Sequence, residues 1–176
     1  MGWFNVLKGA YPSLQQIDKS LMVAAGETGI VRGSLIYQSG TEFKLATATQ
    51  ATDATAYIYF ALQGQDDLTA GMAGTRGQGV FGGYPKITGL AVGMPTEFET
   101  DQFNAGESYA IGDLLTCGAS GKLTPHTTGD NCLAQVTKTV ASRWVNDAVA
   151  VTGFRTGANV NVLTARTLWI PLLATS

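Results

Sequence analysis

Apolar residues along the chain fall in short runs separated by Gly, Ser, Thr and Asp, and no long helical stripe appears among them. Strand-length runs occupy Leu21–Ala24, Ile30–Tyr37, Glu42–Ala46 and Thr55–Leu62, then Lys86–Val92, Thr96–Thr100, Ala110–Thr116, Asn131–Val140, Arg143–Gly153, Asn159–Leu163 and Arg166–Leu173. In Thr96–Thr100 two acids alternate with Phe98, the period of a half-exposed strand. In Thr55–Phe60, Tyr57 and Tyr59 share one face and Ile58 and Phe60 the other, so this strand is expected to be covered on both sides. Many short strands with Gly-rich turns predict an all-β protein, a small antiparallel barrel or sandwich. The lack of long amphipathic helices argues against a parallel α/β sheet.

Two stretches interrupt this rhythm. Residues 1–20 read as an N-terminal arm, with Trp3 and Phe4 near its free end and Tyr11 further along. Ser13 and Gln16 have capping-box spacing, and Leu14, Ile17 and Leu21 recur at a helical interval, enough for a turn or two. Such an arm either folds back on its own core or reaches a neighbour. Residues 63–85 carry Gly71, Gly74, Gly77, Gly79, Gly82 and Gly83 and read as a long Gly-rich loop. The remainder, 21–176, is one β domain whose halves, 21–62 and 86–140, are related by an echo. Ala25-Gly26-Glu27, Gly33-Ser34-Leu35-Ile36 and Lys44-Leu45 recur as Ala105-Gly106-Glu107, Gly112-Asp113-Leu114-Leu115 and Lys122-Leu123. Each describes a strand-turn-strand unit. Duplication and the reuse of turn chemistry both account for it.

Composition sharpens the functional reading. Only 14% of residues are charged, against roughly 25% in an ordinary soluble domain, and there are 22 glycines. So few charges suit a surface that meets other protein. A net charge of −2 gives no basic excess for a phosphate backbone, which argues against direct nucleic-acid binding. One histidine precludes a multi-histidine metal site. No apolar run approaches the 18 or so residues of a membrane span, and the N-terminus lacks the pattern of a secretory signal. Gly2 is poorly placed for myristoylation, with Val6 where Ser or Thr belongs. Cys117 and Cys132 read as reduced, buried small hydrophobes, with a disulfide as the alternative.

The chemical motifs are weak. Gly77-Gln78-Gly79-Val80-Phe81-Gly82 spells G-x-G-x-x-G but lacks the strand before and helix after that a dinucleotide site needs. His126 with Ser108 and Asp113 could be drawn as a triad, yet no nucleophile elbow is present and a turn histidine explains the residue. Asp66 and Asp67 with Glu99 or Asp101 could draw a cation, but no calcium-loop spacing occurs. No catalytic residue, metal site or cofactor is assigned. The expected contact groups are Trp3, Phe4 and Tyr11 of the arm and Arg76, Phe81 and Tyr84 of the Gly-rich loop, because aromatics and Arg dominate interface energetics. Trp144 and Trp169 sit in apolar strand patterns and are expected in the core.

The segment from Ala105 to Pro125, with its Gly112-Asp113-Leu114 strand start, Gly-rich hairpin and Lys122-Leu123 strand, followed by Cys132–Val140, resembles tailed-bacteriophage capsid decoration, or cement, proteins. The resemblance covers about residues 105–140 and, loosely, 25–62. It implies a β-barrel or β-tulip-like domain on the capsid's outer surface, made in the host cytoplasm and carried on the virion. It also implies the major capsid protein and further copies of the chain as partners, a trimer being favoured. Another virion module, such as a tail or carbohydrate-binding β-sandwich, is the alternative, and a small hydrolase the more distant one.

Overall fold

The computed structural model describes residues 4–8, 18–62, 86–92, 96–149 and 155–173. Among these residues eleven strands, one short α-helix and one 3-10 turn follow in chain order: β1 (Phe4–Lys8), β2 (Asp18–Val23), β3 (Leu35–Ser39), β4 (Glu42–Leu45), α1 (Ala48–Ala51), β5 (Ile58–Ala61), β6 (Lys86–Ala91), β7 (Glu97–Thr100), β8 (Leu114–Cys117), the 3-10 turn (Ala119–Gly121), β9 (Leu123–Pro125), β10 (Asp130–Val149) and β11 (Arg155–Leu173). The protein is all-β, as the alternating pattern predicts. Strands β2-β4-β3-β5-β6 close into a barrel, and β1-β7-β11-β10-β8-β9 form a six-stranded sheet. All pairings between these strands are antiparallel except β2 with β4.

The sequence echo has a counterpart in the hydrogen bonds. Ser34 N donates to Val31 O and Val31 N to the Ser34 hydroxyl; Asp113 N donates to Ala110 O and Ala110 N to the Asp113 carboxylate. Gly33 N donates to Ala61 O and Ala61 N to Ser34 O; Gly112 N donates to Val136 O and Val136 N to Asp113 O. Both glycines have positive φ, +85° and +96°, which L side chains resist. The strand pairings repeat too. Hairpin β3–β4 corresponds to β8–β9, the β3–β5 pair to β8–β10, β5–β6 to β10–β11, and β2–β6 to β7–β11. Even the parallel Val23–Phe43 pairing recurs, as a Phe103–Leu123 bridge. The structural partner of Leu123 is therefore Phe43. The Lys-Leu letters of the echo sit two residues out of step.

The first unit's interior holds Val23, Ile30, Ile36, Phe43, Tyr59, Ala61 and Ile87, with Phe43 set edge-on to Tyr59 at 5.3 Å. Strand β5 is buried along its whole length, as expected from its two apolar faces. Tyr59 and Ala61 point into the barrel, whereas Ile58 and Phe60 join a second core that also contains Phe98, Leu115, Leu133 and Leu163. That second core fuses the two units. Tyr57, just before the strand, is 72% exposed.

The seam has two further fastenings. Gly121 N donates to Ala46 O at 2.8 Å, and its φ of +66° turns the chain so tightly that a Cβ would lie 2.7 Å from Leu35 O. Asn131, fully buried, donates its amide to Gln50 O (2.9 Å) and Asp53 O (2.7 Å). Those carbonyls belong to α1 and the turn after it, started by a Thr47–Gln50 capping box.

Several expectations need correction. Asn131–Val140 and Arg143–Gly153 are not two strands, because β10 runs through Ala141 and Ser142 without turning. Asn159–Leu163 and Arg166–Leu173 likewise belong to the single strand β11. The run from residue 30 begins pairing only at Leu35, since the Val31–Ser34 turn occupies its start. At the N-terminus, Phe4–Lys8 is a strand paired with β7, and Leu21 lies in β2 rather than on a helix; Ser13, Leu14, Gln16 and Ile17 lie outside the described residues, as does 63–85.

Candidate docking surface

The two longest strands outrun their neighbours. On one side β10 is paired with β8 at Leu115–Ala134 and Leu114–Gln135, and the turn at Gly112 bonds Val136. On the other side β11 is paired with β7 from Leu163 to Arg166. Among the described residues, β10 and β11 beyond these points pair only with each other, through Val149–Arg155. From Ala141 to Val149, β10 runs for nine residues with β11 as its one described partner, a two-stranded ribbon about 30 Å long. Register shifts between Lys138 and Ala141 and between Val145 and Ala148 add local twist. A lone two-stranded ribbon is marginal in water, and at the root of this one Val162 is fully buried.

Register sorts its side chains. Ser142 opposes Asn161 and Trp144 opposes Asn159, so these four share a face. All four are exposed, Trp144 at 64%. Ala141 opposes Val162 and Arg143 opposes Val160 on the other face. Near the root, Arg143 donates to the Glu99 carboxylate at 2.8 Å, and Lys138 lies 3.9 Å from Glu97. The Glu99 side chain is only 6% exposed while that of Arg143 is 50% exposed. The pair therefore ties the base of the ribbon to β7 and satisfies a buried carboxylate that would be costly alone. An exposed indole among Asn and Ser matches the make-up of interface hot spots, where an aromatic anchor is ringed by polar groups.

The expected contact residues fare differently. Phe4 is corrected: it points inward, stacked between Phe60 at 5.1 Å and Phe98 at 5.4 Å, and is buried. Once β1 pairs with β7, its alternate residues must face the core, which claims the aromatic for this chain. Trp3, Tyr11, Arg76, Phe81 and Tyr84 lie outside the described residues. Trp144 is also corrected, from core to surface: it is 64% exposed, on a stretch of β10 that among the described strands pairs with β11 alone. Nothing is described of the Trp169 side chain. The sequence held one signal for the ribbon: the span from Asn131 to Val149 contains neither Gly nor Pro.

The residues considered for chemistry are otherwise engaged. His126 Nε2 lies 3.1 Å from Asp130 O, and its Nδ1 is buried without a hydrogen-bond partner. The Asp113 carboxylate accepts from Ala110 N within its own turn. Among the described residues no three His, Cys, Asp or Glu side chains gather to hold a metal; Asp66 and Asp67 lie outside them. Cys117 and Cys132 are free and buried, and burial pushes the Cys117 thiol up to about 12. Burial, with the Glu107 carboxylate nearby, also raises the Tyr109 hydroxyl to about 12.

The geometry thus defines a β protein of two similar units, the second extended into an exposed ribbon. Comparison with protein-family models, characterised proteins and solved structures finds no match.

Proposed function

We propose that this chain is a virion structural protein that binds the outer surface of a phage capsid lattice and stabilises it against internal genome pressure. It works by binding, without turnover, and copies of the chain associate with one another, as trimers in the favoured arrangement. The observation that carries this reading is the ribbon: roughly 30 Å of paired strand past the last paired neighbour, with Trp144 64% exposed near its middle. The low charge of the chain agrees with a surface that becomes covered. A many-copy lattice needs no strong single contact, because a subunit held at several points detaches only when all open together.

The test is addition of the purified protein to capsids assembled without it. Co-sedimentation at a fixed ratio to the major capsid protein is expected, with matching density on the outer surface by electron microscopy. Failure to bind capsids at any stage of their maturation overturns the reading.

A further inference from the structure

We infer that the capsid subunit is met by a single face of the ribbon's root, the face of Ser142, Trp144, Asn159 and Asn161, and that the surface it meets is uncharged. This deepens the proposed function and rests on it for the identity of the partner. The root is residues 141–144 of β10 paired with residues 159–162 of β11. Register places Ala141, Arg143, Val160 and Val162 on one face, and that face is committed to this chain. Val162 is fully buried, Val160 is half-buried, and Arg143 donates to the Glu99 carboxylate of β7 at 2.8 Å. Ser142, Trp144, Asn159 and Asn161 point the opposite way, and all four are exposed. A partner therefore has one face of the root to dock on.

Charge narrows the partner. None of the four side chains is ionisable. The cations at the root face acids of their own chain, Arg143 with Glu99 and Lys138 with Glu97 at 3.9 Å. A charged partner surface brought against Ser142, Trp144, Asn159 and Asn161 would lose hydration with no opposite charge to replace it, and buried charge without a partner is costly. A neutral surface carries no such cost. Asn and Ser each offer a donor and an acceptor, which suits a partner's backbone and amide groups.

Trp144 supplies the anchor, at 64% exposure. An indole is rigid and spends little conformational entropy on binding, and seated in a cleft it removes on the order of 100 Å² from water. Its short neighbours, Ser142 and the two asparagines, leave room for the rim of that cleft. Attachment then stands on apolar burial and neutral hydrogen bonds, neither of which is screened by salt.

Co-sedimentation of the full chain with capsids assembled without it tests this, titrated in about 0.1 M and about 1 M salt, where the screening length falls from about 10 Å to about 3 Å. The apparent affinity is expected to shift by less than about threefold between the two. Trp144→Ala is expected to weaken binding by about 100-fold, and Asn159→Asp and Asn159→Lys by about tenfold each, with the Tm of all three within about 2 °C of wild type. Wild type that binds no capsids overturns this inference together with the capsid reading. Capsid binding that survives Trp144→Ala overturns the inference alone. So does a fall of about tenfold or more in high salt, or tighter binding by either Asn159 variant, since each makes the receiving surface charged.

Discussion

The two units of this molecule share one strand plan and use its fourth and fifth strands differently. In the first, β5 and β6 are short, and β6 pairs with β2 to close a barrel around Phe43 and Tyr59. In the second, the equivalent β10 and β11 are 20 and 19 residues long and continue past every neighbour. Among the described strands, closure leaves the first unit no free edge, whereas extension leaves both edges of the second unit's ribbon without a partner, beside an exposed tryptophan. The same local plan therefore serves stability in one place and outward reach in the other, and the difference lies in strand length rather than in turn chemistry.

The comparison breaks most sharply at the seam between the units. Gly121→Ala adds a Cβ at positive φ, 2.7 Å from Leu35 O and 2.6 Å from Leu45 Cδ1. The backbone oxygen cannot swing aside, so the units must separate. Overpacking and the left-handed conformation together cost about 4 kcal/mol, a fall in Tm of about 12 °C by calorimetry. Phe4→Ala comes next. It empties the place between Phe60 of the first unit and Phe98 of the second and is expected to cost about 3 kcal/mol in denaturant unfolding. Asn131→Ala removes the two amide bonds to Gln50 O and Asp53 O and strands those carbonyls, for about 2 kcal/mol by the same measurement.

A smaller effect, confined to alkaline solution, separates the buried groups of the second unit from those at the surface. The Cys117 thiol, ordinarily near 9, is raised to about 12 by burial. Between those values the unfolded chain releases its proton while the folded chain keeps it. Stability from this group is fully present below pH 9 and declines as pH climbs toward 12. Tyr109, raised from 10 to about 12, adds to the same decline at its upper end. Denaturant midpoints from pH 7 to 11 are expected to hold level and then fall above 9. Cys117→Ala should flatten the early part of that fall, and at pH 8 the native thiol should resist a thiol reagent until the chain unfolds.

How much of this was legible in the sequence follows from the range of the interactions involved. Turn chemistry is local, so the Gly33-Ser34 and Gly112-Asp113 turns stood out; the bounds of the halves did not, since Lys86–Ala91 pairs with β2 and β5 and belongs to the first barrel rather than to an 86–140 half. Strand β5 declared two covered faces because both sets of its alternate residues are apolar. The ribbon did not, since Ala141-Ser142 reads as a break when no partner is known, and only pairing with Asn161 and Val162 carries the strand through. Burial of Phe4 and exposure of Trp144 were invisible for the same reason. An aromatic in a strand pattern reports a face, and only the tertiary arrangement says whether a body lies against it.

The smallest effect on stability is expected where the two units differ most. Replacing residues 145–158 with Asn-Gly closes the ribbon just after Trp144 and before its partner Asn159, using a dipeptide suited to a two-residue hairpin. Arg143 remains, so Glu99 keeps its ion pair and no buried charge is left alone. Among the described residues the deleted strand segments pair only with each other. Their removal takes away chain that gained little from folding, so the stability change should stay within about 0.5 kcal/mol, or about 2 °C in Tm. A loss several times larger would mean that the ribbon packs on its own body, and the contrast between a self-sufficient first unit and an outward-reaching second one would fail.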